Sequence, residues 1–97
     1  MVIERAELPI TPGQEPEFEV QFATAAPCLR EARGCAKVSL ARGVESPSKY
    51  LLVIEWHSVE AHEAFTRTDG FSRFRALVAR FFADQPRTEH FARVSTV

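Results

Sequence analysis

Long apolar runs are missing from this 97-residue chain. Without ~18 consecutive apolar residues no membrane-spanning helix is expected. An excess of either charge is missing too: 12 Lys and Arg stand against 13 Asp and Glu. A nucleic-acid binder would show clustered basic residues, so nucleic acid is not expected as a partner. Cysteine is scarce. Cys28 and Cys35 have six residues between them, the spacing of neither a CxxC redox pair nor a zinc pair. Two buried or half-buried thiols in a reducing compartment is the reading that fits. The first residues, MVIERAEL, carry charges where a secretory signal needs an apolar core, so a cytoplasmic protein is expected. No GxSxG, P-loop or Rossmann glycine pattern occurs. His57 and His62 are five apart, poor geometry for a helix-borne metal pair, so no metal is expected. Polar aromatics are nearly absent as well. Eight Phe accompany one Tyr and one Trp, an aromatic interior that suits a flat apolar ligand as well as a packed core.

What is present describes an ordinary globular domain, with 45% hydrophobic and 26% charged residues. Residues 1–97 read as one domain, and no linker or repeat divides them. So short a chain buries only ~60–65% of its unfolded surface, which favours pairing with a second copy.

Val2–Ile10 alternates, with Ile3, Arg5 and Glu7 on one side and Glu4, Ala6, Leu8 and Ile10 on the other, as a strand does. Pro9, Pro12 and Gly13 end it. A helix begins near Gln14, with Glu15 and Glu17 at its positive end and Phe18, Phe22, Ala25, Ala26 and Leu29 along one stripe. Pro27 should bend or restart it, and Gly34 should close it. Cys35–Arg42 and Lys49–Trp56 read as two strands joined by the turn GVESPS. The second of these is apolar on both faces: Tyr50, Leu52, Ile54 and Trp56 on one, Leu51 and Val53 on the other. Such a strand needs cover on both sides, and a second subunit is the simplest cover for one of them. Ser58 suits an N-cap for a helix to about Thr68, broken at Asp69-Gly70. A further helix follows over about Phe71–Ala83, with Phe71, Phe74, Leu77, Val78 and Phe81 or Phe82 inward. Thr88–Val94 reads as a last strand, with His90, Ala92 and Val94 on one face. The order is strand, helix, strand, strand, helix pair, strand. This is the α+β, ferredoxin-like βαββαβ arrangement, with a four-stranded antiparallel sheet and helices on one face.

In that order the chain resembles the antibiotic biosynthesis monooxygenase family. The pieces are PGQEPEFEVQF, APCLREARGC, VSLARGVESPSKYLLVIEWHSVEAH, FSRFRALVARFF and PRTEHFARV, which together span nearly the whole chain. The resemblance implies a protomer that pairs sheet to sheet into a dimeric α/β barrel, with a pocket between sheet and helices. It also implies an activity among cofactor-independent oxidation of polycyclic phenols and anthrones, haem degradation, and quinol oxidation. The haem-degrading branch fits poorly, since its working positions are matched here by Glu7 or a neighbour, Phe65 and Arg75. The chain is more similar to a subgroup with Glu55, Trp56, His62, Phe65, Phe74, Arg75, Leu77, Pro86, His90 and Phe91. A non-catalytic ligand-binding or stress-response protein of the same fold is the alternative.

Cofactor-free oxygenation of an electron-rich phenol needs a base, a donor for the oxyanion and a dry aromatic pocket. His62 is the candidate base, against the plainer reading of a solvent-facing or core-bonded histidine. Arg75 is the candidate oxyanion donor, against a surface ion pair. Trp56, Phe65, Phe71 and Phe82 are candidate pocket walls, though aromatics at such places are more often core. His90 and Tyr50 are candidate polar groups of the same pocket, or of a dimer interface. The sharpest expectation is that His62 and Arg75 share one pocket with a small aromatic or apolar molecule.

Overall fold

The expected alternations become strands with little change. In the computed structural model, which describes all 97 residues, β1 is Val2–Pro9, β2 is Cys35–Arg42, β3 is Lys49–Trp56 and β4 is Arg87–Ala92. They form one antiparallel sheet in the order β2-β3-β1-β4. Three helices lie on one face: α1 (Glu15–Arg30), α2 (Val59–Phe65) and α3 (Asp69–Val78), the last followed by a 3-10 turn at Ala79–Phe81. This is the ferredoxin-like α+β fold.

The helix ends differ from expectation for local reasons. α1 runs through Pro27 and stops at Arg30. The proline leaves the helix without one ladder donor, and the helix continues for three residues beyond it. Gly34 lies outside the helix with φ +87, the left-handed turn that feeds β2. α3 starts at Asp69 because the Thr68 hydroxyl accepts from the Phe71 amide at 3.3 Å and caps it. Gly70 reads as a breaker in sequence, but it sits in a first turn whose amides need no intrahelical partner. Ser58 caps α2 as expected, accepting from the Ala61 amide at 3.1 Å. β4 stops at Ala92, two residues short of the expected end.

The core lies between sheet and helices. Ala6, Leu8, Leu52, Ile54 and Trp56 face Phe18, Phe22, Ala25, Leu29, Phe65, Phe74, Val78 and Phe81. Each ring buried there contributes ~1.5–3 kcal/mol. Glu15 fastens the start of α1 to the β2–β3 hairpin. Its carboxylate accepts from the Ser48 hydroxyl at 2.6 Å and the Gly13 amide at 2.9 Å. The Ser48 hydrogen bond is the larger reason that its carboxyl lies below the usual range. On the other face of the sheet Ile3, Leu51 and Val53 are half-buried and Phe91 is 42% exposed. The two-sided apolar character of β3 is thus met by helices on one side and left open on the other within a single chain.

Candidate active site

Antiparallel register sets Glu4 of β1 opposite Ile54 of β3 on one side and His90 of β4 on the other. Paired residues share a face, so Glu4 and His90 both point to the helix side. Trp56, at the end of β3, pairs with Val2 and lies on that side too. Ser58 then turns the chain into α2, which carries His62 back over the indole.

Four side chains meet there. The Trp56 indole N–H donates to Glu4 Oε1 at 2.9 Å, and Trp56 has no exposed surface. The His62 ring stacks on the indole, with centroids 5.2 Å apart and planes 16° from parallel. His62 Nε2 stands 3.4 Å from the same Glu4 oxygen, and His62 Nδ1 lies 2.7 Å from His90 Nε2. The side chains of His62 and Glu4 are 15% and 8% exposed, whereas His90 is open to solvent. Burial is the largest influence on His62 and lowers its pKa. The Glu4 charge pulls the other way, and His90 lowers it again. The ring is therefore neutral at neutral pH. Glu4, His62 and His90 lie in a row, with a different His62 nitrogen turned to each neighbour. No group of three or more His, Cys, Asp or Glu gathers around a common point. The row suits proton transfer rather than chelation.

The other residues named from sequence fall in three places. Phe65 tilts against Trp56 at 5.6 Å, and Phe71 meets Phe65 edge-on at 5.7 Å. Arg75 is exposed, with its guanidinium 5.9 Å over the Phe71 ring. It reaches the cluster only through those two rings, so the structure does not bring Arg75 to His62. Tyr50 sits at the far end of β3, paired with Leu8, and its hydroxyl donates to Glu19. Phe82 bridges to Ile10 beyond that same far end. Glu4 was not singled out in the sequence. Its signal was available, because it alternates in phase with Ala6, Leu8 and Ile10 and is the one charge among them.

A separate open groove of about 920 Å³ lies on the other side of α2, between the end of α1 and the start of α3. Cys28, Arg33, His57, Ala61, Phe65 and Arg73 are among its lining residues. Phe65 is the wall it shares with the cluster.

The model of the antibiotic biosynthesis monooxygenase family matches residues 1–77. The chain belongs to the antibiotic biosynthesis monooxygenase family. Glu4, Trp56 and His62 lie within the matched residues, and His90 lies beyond them. Protein YczJ of Bacillus subtilis (strain 168), itself uncharacterised, is 40% identical over 92 residues, covering 94% of this chain and 97% of its own. A crystal structure from Bordetella bronchiseptica, of a protein named for the same family, is 37% identical with a TM-score of 0.93, covering 97% of both chains. SnoaB from Streptomyces nogalater, a cofactor-independent oxygenase solved as a point mutant, superposes with a TM-score of 0.84 at 19% identity. It covers 99% of this chain and 95% of its own, and at that identity it shares the fold. Members of the family are usually dimeric. No helix of this chain is long and apolar enough to cross a membrane.

Proposed function

We propose that this family member is a cofactor-independent monooxygenase of a small electron-rich aromatic compound, of the phenol, anthrone or quinol class. One observation carries the reading: a histidine pair, His62 and His90, is backed by the buried Glu4 carboxylate and open to solvent at one end. Removing a proton from such a substrate leaves an anion able to reduce dioxygen. For an anthrone-like methylene the account closes without a cofactor. The carbon gives up four electrons, dioxygen takes four, and the products are a ketone and one water. The protein then supplies the base and a fixed polar environment for the anion. The helix side of β4 is uncovered beside His90, which offers the substrate an approach. Trp56 serves as the floor under His62, since none of it is exposed.

The measurement is oxygen uptake with a panel of anthrones and hydroquinones, for the native protein and for His62→Ala. A rate lower by ~10²–10⁴ in the variant is expected, the usual range for loss of acid–base assistance. No uptake across the panel, or equal rates from both proteins, sinks the reading.

A second reading has its own support. The groove beside α2 is lined by neither His62 nor His90, which suits a protein that holds an apolar ligand without converting it. Thermal shift upon ligand addition with no oxygen uptake would favour this alternative. On either reading the protein pairs through its open sheet face as a homodimer. Its two free cysteines fit a cytoplasmic, reducing environment.

A further inference from the structure

The geometry points to His90, rather than His62, as the group that takes the substrate's proton, with His62 and Glu4 positioning it. Both nitrogens of His62 are engaged: Nε2 faces the Glu4 carboxylate and Nδ1 faces His90. Neither is free to meet a substrate. The tautomers follow from this contact pattern. A carboxylate oxygen 3.4 Å from Nε2 favours a proton on Nε2, because a bare nitrogen there would set lone pair against lone pair. His62 Nδ1 is then the acceptor, so His90 donates from its own Nε2. The lone pair of His90 Nδ1 is left free, on a ring open to solvent at the uncovered helix side of β4.

Protons and charge balance in the transfer. A substrate O–H or C–H proton moves to His90 Nδ1 and leaves the substrate as an anion. His90 keeps its Nε2–H directed at His62 Nδ1 across the 2.7 Å contact. His90 becomes the imidazolium, and His62 stays neutral with its Nε2 turned to Glu4. The positive charge thus rests on the exposed ring, where burial does not oppose it. Trp56 holds the Glu4 carboxylate in place through its indole N–H. Besides His90, the charged groups that act on His62 are Glu4 from β1 and Glu63 from α2. Cys35 of β2 also feels Glu4, and its thiol is raised chiefly by burial.

The kinetic half of this inference rests on the oxygenase reading; the spectroscopic half does not. Nitrogen-15 NMR of the native protein at neutral pH should show His62 protonated on Nε2, and His90 protonated on Nε2 with Nδ1 bare. A bare His62 Nε2, or a proton on His90 Nδ1, overturns the assignment whether or not any substrate is turned over. With a turned-over substrate, His90→Ala should lose ~10²-fold or more in rate. Added imidazole should restore part of it, because the site of His90 is open. His62→Gln should keep some rate and move the midpoint of the pH–rate profile. Native kcat and pH profile in His90→Ala would overturn the inference. His90 is exposed, so this variant should fold, and a melt checks it. If the native protein shows no uptake while the tautomers are as stated, the oxygenase reading fails and the Glu4–His62–His90 arrangement stands.

Discussion

Tyr50 is the chain's single tyrosine, and its hydroxyl donates to the Glu19 carboxylate. Its ring meets Phe18 edge-on at 4.9 Å. Burial, with the Glu19 contact second, pushes its pKa up to about 12 from the ordinary 10.0. A folded-state value above the unfolded one stabilises the fold fully below the unfolded pKa. That contribution is lost as pH climbs from about 10 towards 12. Phenolate absorbance in the near ultraviolet reads this residue alone, since no other tyrosine competes. The midpoint should lie well above ~10 in the native protein and return to ~10 in denaturant. A native midpoint at the denatured value would show that the hydroxyl is free. Tyr50→Phe should flatten the alkaline fall in stability. Sequence named Tyr50 as a group that could reach a ligand or a partner, and alternation placed it correctly on the Trp56 face. What alternation cannot show is distance from a site. Leu52 and Ile54 stand between Tyr50 and Trp56, so the hydroxyl and its partner Glu19 lie far from the histidine cluster at the other end of β3. Glu4 shows the converse. Its phase was legible, yet its partners Trp56, His62 and His90 stand 52 to 86 residues away in the chain, and no local pattern joins them.

Local elements were more legible, because strand alternation and caps are short-range effects. Cys35–Arg42 and Lys49–Trp56 appear with the expected bounds, and Ser58 caps α2 as its residue type suggests. The misplaced ends trace to side-chain chemistry that competes with residue type, as at Thr68 before Gly70. Gly34 is where two elements constrain each other. A Cβ there would stand 2.7 Å from the Ala61 Cβ of α2, and its φ is +87. Gly13 has a similar φ of +93 with nothing within 4 Å of the same atom, so it isolates the backbone effect. Gly13→Ala should cost ~1–2 kcal/mol from backbone strain alone. Gly34→Ala should cost more, by ~1–3 kcal/mol of overpacking against α2. Urea unfolding of both variants checks this. Adding Ala61→Gly should recover the contact part at Gly34, less the ~1 kcal/mol that a glycine costs inside a helix. Equal losses at Gly13 and Gly34 would mean that α2 yields freely, and that His62 is held less firmly than its stacking on Trp56 implies.

At the scale of the whole molecule the open sheet face is the unfinished surface. Ile3, Leu51 and Val53 are half-buried there and Phe91 is 42% exposed. Charges of both signs are interleaved with them: Arg5 lies 3.5 Å from Glu7, and Arg93 lies 3.9 Å from Glu55. A face of apolar residues and internally paired ions can meet its own copy without like charges clashing, and the net charge of −1 adds almost no repulsion between copies. Four strands ~4.8 Å apart and about 26 Å long make a plane of roughly 500 Å². Side-chain relief raises the accessible area of such a plane, towards the ~800 Å² per partner of a standard stable interface. Sedimentation at micromolar concentration should therefore give twice the chain mass. Val53→Asp would place a charge at the centre of that face, opposite Ser39 and Arg5 in the sheet. It should yield a folded monomer, with its helical signal intact and a lower melting temperature. The histidine cluster lies on the opposite side of the sheet, so its NMR tautomers should survive in that monomer. A native monomer at micromolar concentration would remove the dimer from the account and leave the cluster to be judged by its own chemistry.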